Sequence, residues 1–182
     1  MEKYARLLAI FDRVKTIHSR IKVQKILYVL KSLGFPVVER YEYGNYGPYS
    51  QELASELRSL ANSEFLTETR TEGEEPEGEG SVAYQRYDLS ITPRGKKFLE
   101  AYSAQNPGFE STVAEIAGLA AELGKYLPST LELVATLMFL EDQRYPKENI
   151  VPVLKSVKPQ FTDPEIETAK EIIEDLRRRV RT

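Results

Sequence analysis

The fold of this chain is decided around residues 41–50, which read Tyr-Glu-Tyr-Gly-Asn-Tyr-Gly-Pro-Tyr-Ser and run directly into a helix-like segment at 51–61. Glycine and proline together force a turn of fixed shape. The four tyrosines give that turn large amphipathic rings, each suited to an apolar wall and a hydrogen-bond partner. The stretch therefore predicts either an exposed recognition corner or a packed hinge, and the sequence leaves both open.

Helical periodicity surrounds this stretch on both sides. Apolar residues recur at helical spacing over residues 3–17 and 20–33, which predicts two amphipathic helices. Ser19 is a suitable N-cap for the second helix, and Gly34 ends it. Ser50 is a suitable N-cap for a third helix, which follows the turn directly.

Two strands are predicted after the third helix, at 65–70 and 82–91, on either side of an acidic loop at 71–81. The loop holds five glutamates: Glu72, Glu74, Glu75, Glu77 and Glu79. Thr92 and Pro93 then open a further helix, because threonine caps helix N-termini and proline suits the first helical position.

The second half of the chain is predicted to be helical throughout, and residues 106–108 (Asn-Pro-Gly) mark the best boundary before it. Capping boxes are predicted at Ser129–Glu132 and Thr162–Glu165. The predicted helices span residues 112–126, 131–140, 148–157 and 166–180.

The sequence therefore predicts a mainly α protein with a small β-hairpin, in the α+β class. Residues 1–105 would form a winged-helix-like unit, and residues 109–182 a helical unit packed on it. Three helices followed by a hairpin is the order of a winged helix, in which the third helix enters the DNA major groove.

The residues that carry a family resemblance are Arg20–Tyr28, Phe35-Pro36, Tyr46–Ser50 with Glu52 and Leu53, Tyr87–Thr92 and Gly95. On these residues the chain resembles the YwgA-like family, and more distantly the Panacea antitoxin domain, over roughly residues 3–102. The resemblance implies a winged-helix-like fold and no established enzyme activity; Panacea-type domains act by binding toxin proteins. The sequence departs from the pattern at Glu64, where a glycine often follows the third helix, and in its acidic run.

Composition excludes several classes of function. The net charge of −3 does not suit a generic basic protein that coats nucleic acid, and no apolar run approaches the roughly 18 residues of a membrane span. With no cysteine there is no thiolate nucleophile and no Cys-based zinc site. We expect a cytoplasmic protein that has no cofactor, no metal site and no membrane association.

Catalysis has one candidate, His18, which is the only histidine. It stands beside Ser19, yet a nucleophilic site also needs an orienting acid in the right place. A lone histidine near a helix end is more often a surface residue that satisfies the helix dipole. We therefore expect the protein not to be an enzyme.

Binding to a protein partner is the function that the sequence favours. Tyrosine is enriched at binding hot spots, so Tyr43, Tyr46 and Tyr49, with Gln51 at the start of the third helix, are the predicted partner-binding residues. The competing interpretation is that the tyrosines only pack the two halves of the chain together. A homodimer is a further possibility.

DNA binding by a winged-helix transcriptional regulator is the alternative function. Gln, Asn and Arg side chains can read base edges, and lysines can neutralise phosphates. Glu52 and Glu56 count against it, because carboxylates on the same helix would repel the phosphates. The residues predicted for this alternative are Lys22, Lys25, Gln51, Ser55, Arg58 and Asn62.

Overall fold

The computed structural model describes residues 1–77 and 80–180, and the side chains of all of these except 73–77 and 80–86. This part of the chain is mainly helical and includes a small antiparallel β part, which confirms the predicted fold class. The helices are α1 Glu2–Val14, α2 Arg20–Ser32, α3 Gln51–Asn62, α4 Pro93–Gln105, α5 Phe109–Leu123, α6 Pro128–Asp142, α7 Lys147–Val157 and α8 Asp163–Val180. The strands are β1 Thr16–His18, β2 Glu42–Gly44, β3 Gly47–Tyr49, β4 Leu66–Glu77 and β5 Gly80–Ile91.

The chain divides into two compact units, and each is discontinuous in sequence. The first comprises Met1–Val23 and Glu52–Gly124, and the second comprises Gln24–Gln51 and Lys125–Thr182. The division therefore does not fall at residues 106–108, where the sequence predicts the boundary. Those residues connect α4 to α5 inside the first unit, because α4 and α5 both pack on α1.

A three-stranded antiparallel sheet completes the first unit. Its strand order is β1-β5-β4, with His18 opposite Asp88 and Leu66 opposite Ile91. The pairing of β4 with β5 continues as far as Glu77 and Gly80, so most of the predicted acidic loop is strand. Glu79 lies outside the described residues. Strand β1 lies where the sequence predicts the end of the first helix.

The second unit is built around α6, which packs against α7, α8 and β3. Nearly every residue of α6 from Leu131 to Leu140 is buried, as expected for a helix that is apolar nearly all round. Strands β2 and β3 form a separate antiparallel pair, which places residues 41–50 in this unit.

The structure contains three of the predicted helix caps and lacks a fourth. The Ser19 hydroxyl accepts from the Lys22 amide at 3.2 Å, and the Thr92 hydroxyl accepts from the Gly95 amide at 3.0 Å. The Thr162 amide donates to the Glu165 carboxylate at 2.8 Å, as expected of a capping box. The capping box predicted at Ser129–Glu132 is wrong, because α6 begins earlier, at Pro128.

Candidate functional site: the tyrosine turn

Residues 41–50, which we call the tyrosine turn, form a β-hairpin. Glu42 pairs with Tyr49 and Gly44 pairs with Gly47, so Asn45 and Tyr46 form the two-residue tip. Gly47 has φ +81°, which side chains other than glycine rarely tolerate. The prediction of a turn of fixed shape is therefore confirmed.

Two buried lysines hold the main chain of this hairpin from beneath. Lys25, on α2, is only 1% exposed, and its ammonium donates to the Pro48 carbonyl at 2.7 Å. Lys158, directly after α7, is also buried and donates to the Asn45 carbonyl at 2.7 Å. Lys25 thus holds strand β3, and Lys158 holds the tip of the hairpin.

Glu132, on α6, supplies the countercharge. Its carboxylate lies 2.6 Å from the Lys158 ammonium. Burial lowers the pKa of Lys25 to about 8; Glu132 opposes this shift and Lys158 adds to it. We call Lys25, Lys158 and Glu132 the lysine cluster, and its two cations outnumber its one carboxylate.

The floor of the turn leaves no room for a larger residue at position 47. A Cβ atom there would lie 2.8 Å from the Thr136 hydroxyl oxygen and 3.6 Å from the Lys25 ammonium. Thr136 is fully buried, and its hydroxyl interacts with the Tyr43 phenol. Glycine is therefore needed here both for its backbone conformation and for its lack of a side chain.

The tyrosines of the turn fall into two groups. The Tyr41 ring packs edge-on against Tyr28, with ring centroids 5.0 Å apart, and the Tyr43 ring lies 5.6 Å from that of Phe139. Burial is the main reason that the pKa of Tyr43 is raised, and Glu132 raises it further. These two rings thus contribute to packing, although Tyr43 remains 39% exposed.

Tyr46 and Tyr49 are the outward-facing pair. Tyr46, at the tip, is 60% exposed, and the Lys158 ammonium lies 5.9 Å from its ring centroid. Tyr49 is 41% exposed and projects from the opposite face of the hairpin to Tyr43, because Tyr43 is opposite Pro48 in the register. The tyrosine turn therefore presents two separate rings, Tyr46 and Tyr49, beyond the packed pair.

Two hydrogen bonds with the Gln24 side chain hold Ser50, the last residue of the tyrosine turn before α3. The Gln24 side chain donates to the Ser50 carbonyl and accepts from the Ser50 amide, both at 2.8 Å. Gln51 follows as the first residue of α3, and its side chain is exposed. All four predicted partner-binding residues therefore have accessible surface.

The residues predicted for DNA contact separate into exposed and buried sets. Ser55, Arg58 and Asn62 are exposed on α3, as Gln51 is. Lys22 and Lys25, by contrast, are buried, and Lys22 donates to the Gly124 carbonyl at 2.7 Å. Because main-chain carbonyls already occupy both ammonium groups, their burial contradicts the expectation that these two lysines face phosphates.

One of the two carboxylates that counted against DNA contact is buried. Glu56 was expected on the solvent face of α3, but it is 5% exposed and pairs with Lys3 at 2.5 Å. The exposed face of α3 therefore lacks that carboxylate. Arg58 is the only basic residue of the helix.

His18 lies on β1 and has a partner that the sequence did not reveal. Its Nδ1 atom is 2.7 Å from a carboxylate oxygen of Asp88, whose other oxygen accepts from the Thr71 hydroxyl at 3.1 Å. No group of three or more His, Asp or Glu side chains in the described residues could hold a metal ion. Within the same residues, no helix has the length and apolar character needed to cross a membrane.

Sequence reasoning missed most of the lysine cluster. Lys158 lies 133 residues from Lys25 along the chain, and no local pattern connects them. Thr136 offered a signal, since it is the one hydroxyl residue in the middle of an otherwise apolar helix face. Such a residue often marks a point where polar groups meet inside a core.

Comparison with known proteins gives one informative result. No family model matches the chain. A protein of Bacillus subtilis (strain 168), described as "Uncharacterized protein YwgA", is 30% identical over 180 residues, which are 97% of this chain and 98% of that relative. An identity of this size over nearly the full length of both proteins shows that the chain belongs to the YwgA-like family.

Proposed function

We propose that this protein is a non-enzymatic regulatory module that binds a protein partner through the tyrosine turn. The observation that carries the proposal is the exposure of Tyr46, a large aromatic ring that is 60% exposed at the tip of an anchored hairpin. Tyrosine, tryptophan and arginine dominate binding hot spots, where they fill pockets on the partner.

Anchoring matters because ordering a loop on binding is costly. Immobilising one flexible side chain costs about 0.5–1.5 kcal/mol, and ordering the main chain costs more. The contacts of Lys25 and Lys158 with the hairpin carbonyls fix the main chain before any partner arrives. A ring on such a support can contribute most of its burial energy to affinity.

The four predicted residues are expected to contribute unequally. Tyr46 should contribute most, because its ring is the most exposed of the three. Tyr49 and Gln51 should come next, since both are exposed near the start of α3. Tyr43 should contribute least, because part of its ring already packs on Phe139.

A comparative pull-down tests the proposal. Tagged wild type, Tyr46→Ala and Tyr49→Ala would be used as baits after circular dichroism has shown that all are folded. Tyr87→Ala is the matched control, because Tyr87 is 43% exposed in the first unit. A protein retained by wild type and control but lost from Tyr46→Ala supports the proposal; identical partner sets for all four baits contradict it.

The alternative is a winged-helix DNA-binding regulator, and two observations favour it. The elements follow the order α1, β1, α2, β2, β3, α3, β4, β5, which is a winged-helix order with the β2–β3 hairpin inserted before α3, and the sheet order is β1-β5-β4. Ser55, Arg58 and Asn62 lie on the exposed side of α3. The weakness of this alternative is phosphate neutralisation, since Lys22 and Lys25 are buried.

Fluorescence anisotropy with random duplexes at low salt tests the alternative. A DNA-binding regulator should show affinity that falls steeply with salt and weakens in Arg58→Ala. Lys97→Ala, which removes an exposed charge from α4, is the control. Absence of any enriched sequence, or equal losses in the two variants, would reject this function.

The cytoplasmic location and the homodimer expected from the sequence are parts of the same proposal. Light scattering after size-exclusion chromatography measures the mass of the protein in solution and so tests for the homodimer. A constant monomer mass over a hundredfold range of concentration would remove the homodimer.

A further inference from the structure

A second site candidate lies among α6, α7 and α8, away from the residues of the tyrosine turn. It is an open cavity of about 480 Å³. This volume lies within the range of pockets that hold small organic ligands. Its apolar surface comes from Leu137, Ile150, Val151 and Ile173.

The apolar wall is built from three helices. Leu137 belongs to α6, Ile150 and Val151 to the first turns of α7, and Ile173 to α8. Leu137, Ile150 and Ile173 are buried, so the wall is continuous with the core of the unit. A ligand with an apolar body would therefore contact core side chains rather than mobile surface groups.

Charged side chains surround this wall, and cations are in excess. Lys147, Lys170 and Arg177 line the cavity, against Glu141 and Glu174. Arg177 forms an ion pair with Glu141, which cancels one charge of each sign. Of the remaining three, two are lysines, so the lining residues carry one net positive charge; Glu167, the partner of Lys170, lies outside the lining.

Lys147 is the cation best suited to a ligand. It is exposed at the start of α7, and no hydrogen bond or ion pair with another described residue engages its ammonium. Lys170 pairs with Glu167 at 2.8 Å, an exposed contact that is weak in water. An anionic group at the cavity mouth would therefore meet Lys147 without first breaking an internal ion pair.

We propose that this cavity binds a small amphipathic anion, namely a carboxylate carried on a short aliphatic body. The apolar wall accepts the body, and the net positive lining with Lys147 accepts the carboxylate. A purely apolar ligand would leave the charged lining unused, and an amine would face Lys147 and Lys170 with only Glu174 as a carboxylate outside the Arg177 ion pair. The proposal is independent of the tyrosine turn, because the two share no residue.

Hexanoate is the test probe, and hexan-1-ol and hexylamine are the matched probes without charge and with reversed charge. Amide shifts in nitrogen–proton NMR spectra of the full chain would be followed during titration. Hexanoate should shift the amides of Ile150 and Val151 in a saturable manner and bind at least fivefold more tightly than hexan-1-ol.

Two variants locate the site. Val151→Trp fills the cavity and should abolish the saturable shifts, while Lys147→Glu should weaken hexanoate binding about fivefold without changing hexan-1-ol binding. Lys155→Glu is the control, because it makes the same charge change on α7 outside the lining, although it also breaks the exposed ion pair of Lys155 with Asp163. Circular dichroism would establish that all three variants are folded.

The proposal is overturned by any of three results. The first is the absence of saturable shifts with hexanoate in the wild type. The second is equal affinity for hexanoate and hexan-1-ol, which would remove the requirement for an anion. The third is an equal loss in Lys147→Glu and Lys155→Glu, which would make the charge effect non-local.

Discussion

Replacing Gly47 with alanine should destabilise the second unit more than any other alanine substitution of a glycine with positive φ in it. The new Cβ would lie 2.8 Å from the Thr136 hydroxyl oxygen, closer than real Cβ contacts come. The φ of +81° adds backbone strain. We expect a loss of about 2–4 kcal/mol, of which about 1–2 is strain and the rest is overpacking.

Gly34→Ala separates these two contributions. Gly34 has φ +94°, yet a Cβ atom there would meet nothing within 4 Å. It should therefore show the strain alone, about 1–2 kcal/mol. The difference between the two variants measures the contact beneath the tyrosine turn.

Thr136→Ala provides the complementary test in a double-mutant cycle. It removes the oxygen that the new methyl group would meet, so the double variant should recover about 1–2 kcal/mol relative to the sum of the single variants. Thr136→Ser keeps the oxygen and should give no such recovery. Urea unfolding followed by far-UV circular dichroism gives the free energies.

The predicted contact with Thr136 fails its test if Gly47→Ala loses no more stability than Gly34→Ala. It also fails if Thr136→Ala and Thr136→Ser recover equal amounts, because the hydroxyl would then not be the obstacle. Either result would mean that the hairpin can move away from α6 at little cost.

Three further predictions concern the interior of the second unit. The pKa of Lys25 falls from 10.5 to about 8 in the folded state, so the unfolded state binds more protons between pH 8 and 10.5. The free energy of unfolding should therefore rise by about 2 kcal/mol between pH 8 and 9.5. The Lys25→Met variant should flatten this rise. Glu132→Gln leaves Lys158 without its carboxylate partner and should lower the urea midpoint by the equivalent of about 2–4 kcal/mol, whereas an unchanged midpoint would show that the pair contributes nothing. Tyr28→Phe removes a phenol that donates to Asp142 at 2.6 Å and should lower the free energy of unfolding by about 1–2 kcal/mol, measured by thermal unfolding; a gain in stability would contradict it.

Local patterns predicted the helices well, because their causes are local. Thr92 caps α4 and Ser19 caps α2 through side chains that reach amides three residues away. Such contacts depend only on neighbouring residues, so the sequence contains the full signal. The apolar stripe of α6 likewise predicted its central position in the second unit.

Features that depend on distant partners were not predictable. Strand β1 has three residues, Thr16–His18, and its identity as a strand comes from pairing with Asp88–Ser90 of β5, far along the chain. Lys22 and Lys25 look like an exposed basic face, because lysine is rarely buried without a partner. Their acceptors are the carbonyls of Gly124 and Pro48, which no helical periodicity can identify.

Glu132 shows that a residue can fit a local capping pattern and yet serve a different role in the folded protein. Its spacing from Ser129 is typical of a capping box, yet α6 starts at Pro128, and Leu127 precedes it as the N-cap without a capping side chain. The carboxylate pairs instead with Lys158. A buried ammonium needs a countercharge more than an exposed helix end needs a cap, since burying an unpaired charge is far more costly.

The lysine cluster is an expensive way to support a hairpin, which is itself informative. Well-packed apolar residues usually replace a buried ion pair without loss of stability. Apolar side chains, however, cannot accept or donate hydrogen bonds, and three-residue strands such as β2 and β3 are too short to fix a hairpin alone. Lys25 and Lys158 specify the positions of two carbonyls, and thereby the direction of the Tyr46 ring above them. The cost in stability therefore maintains a defined shape at the surface, which is the property that a binding turn requires and a purely structural hinge does not.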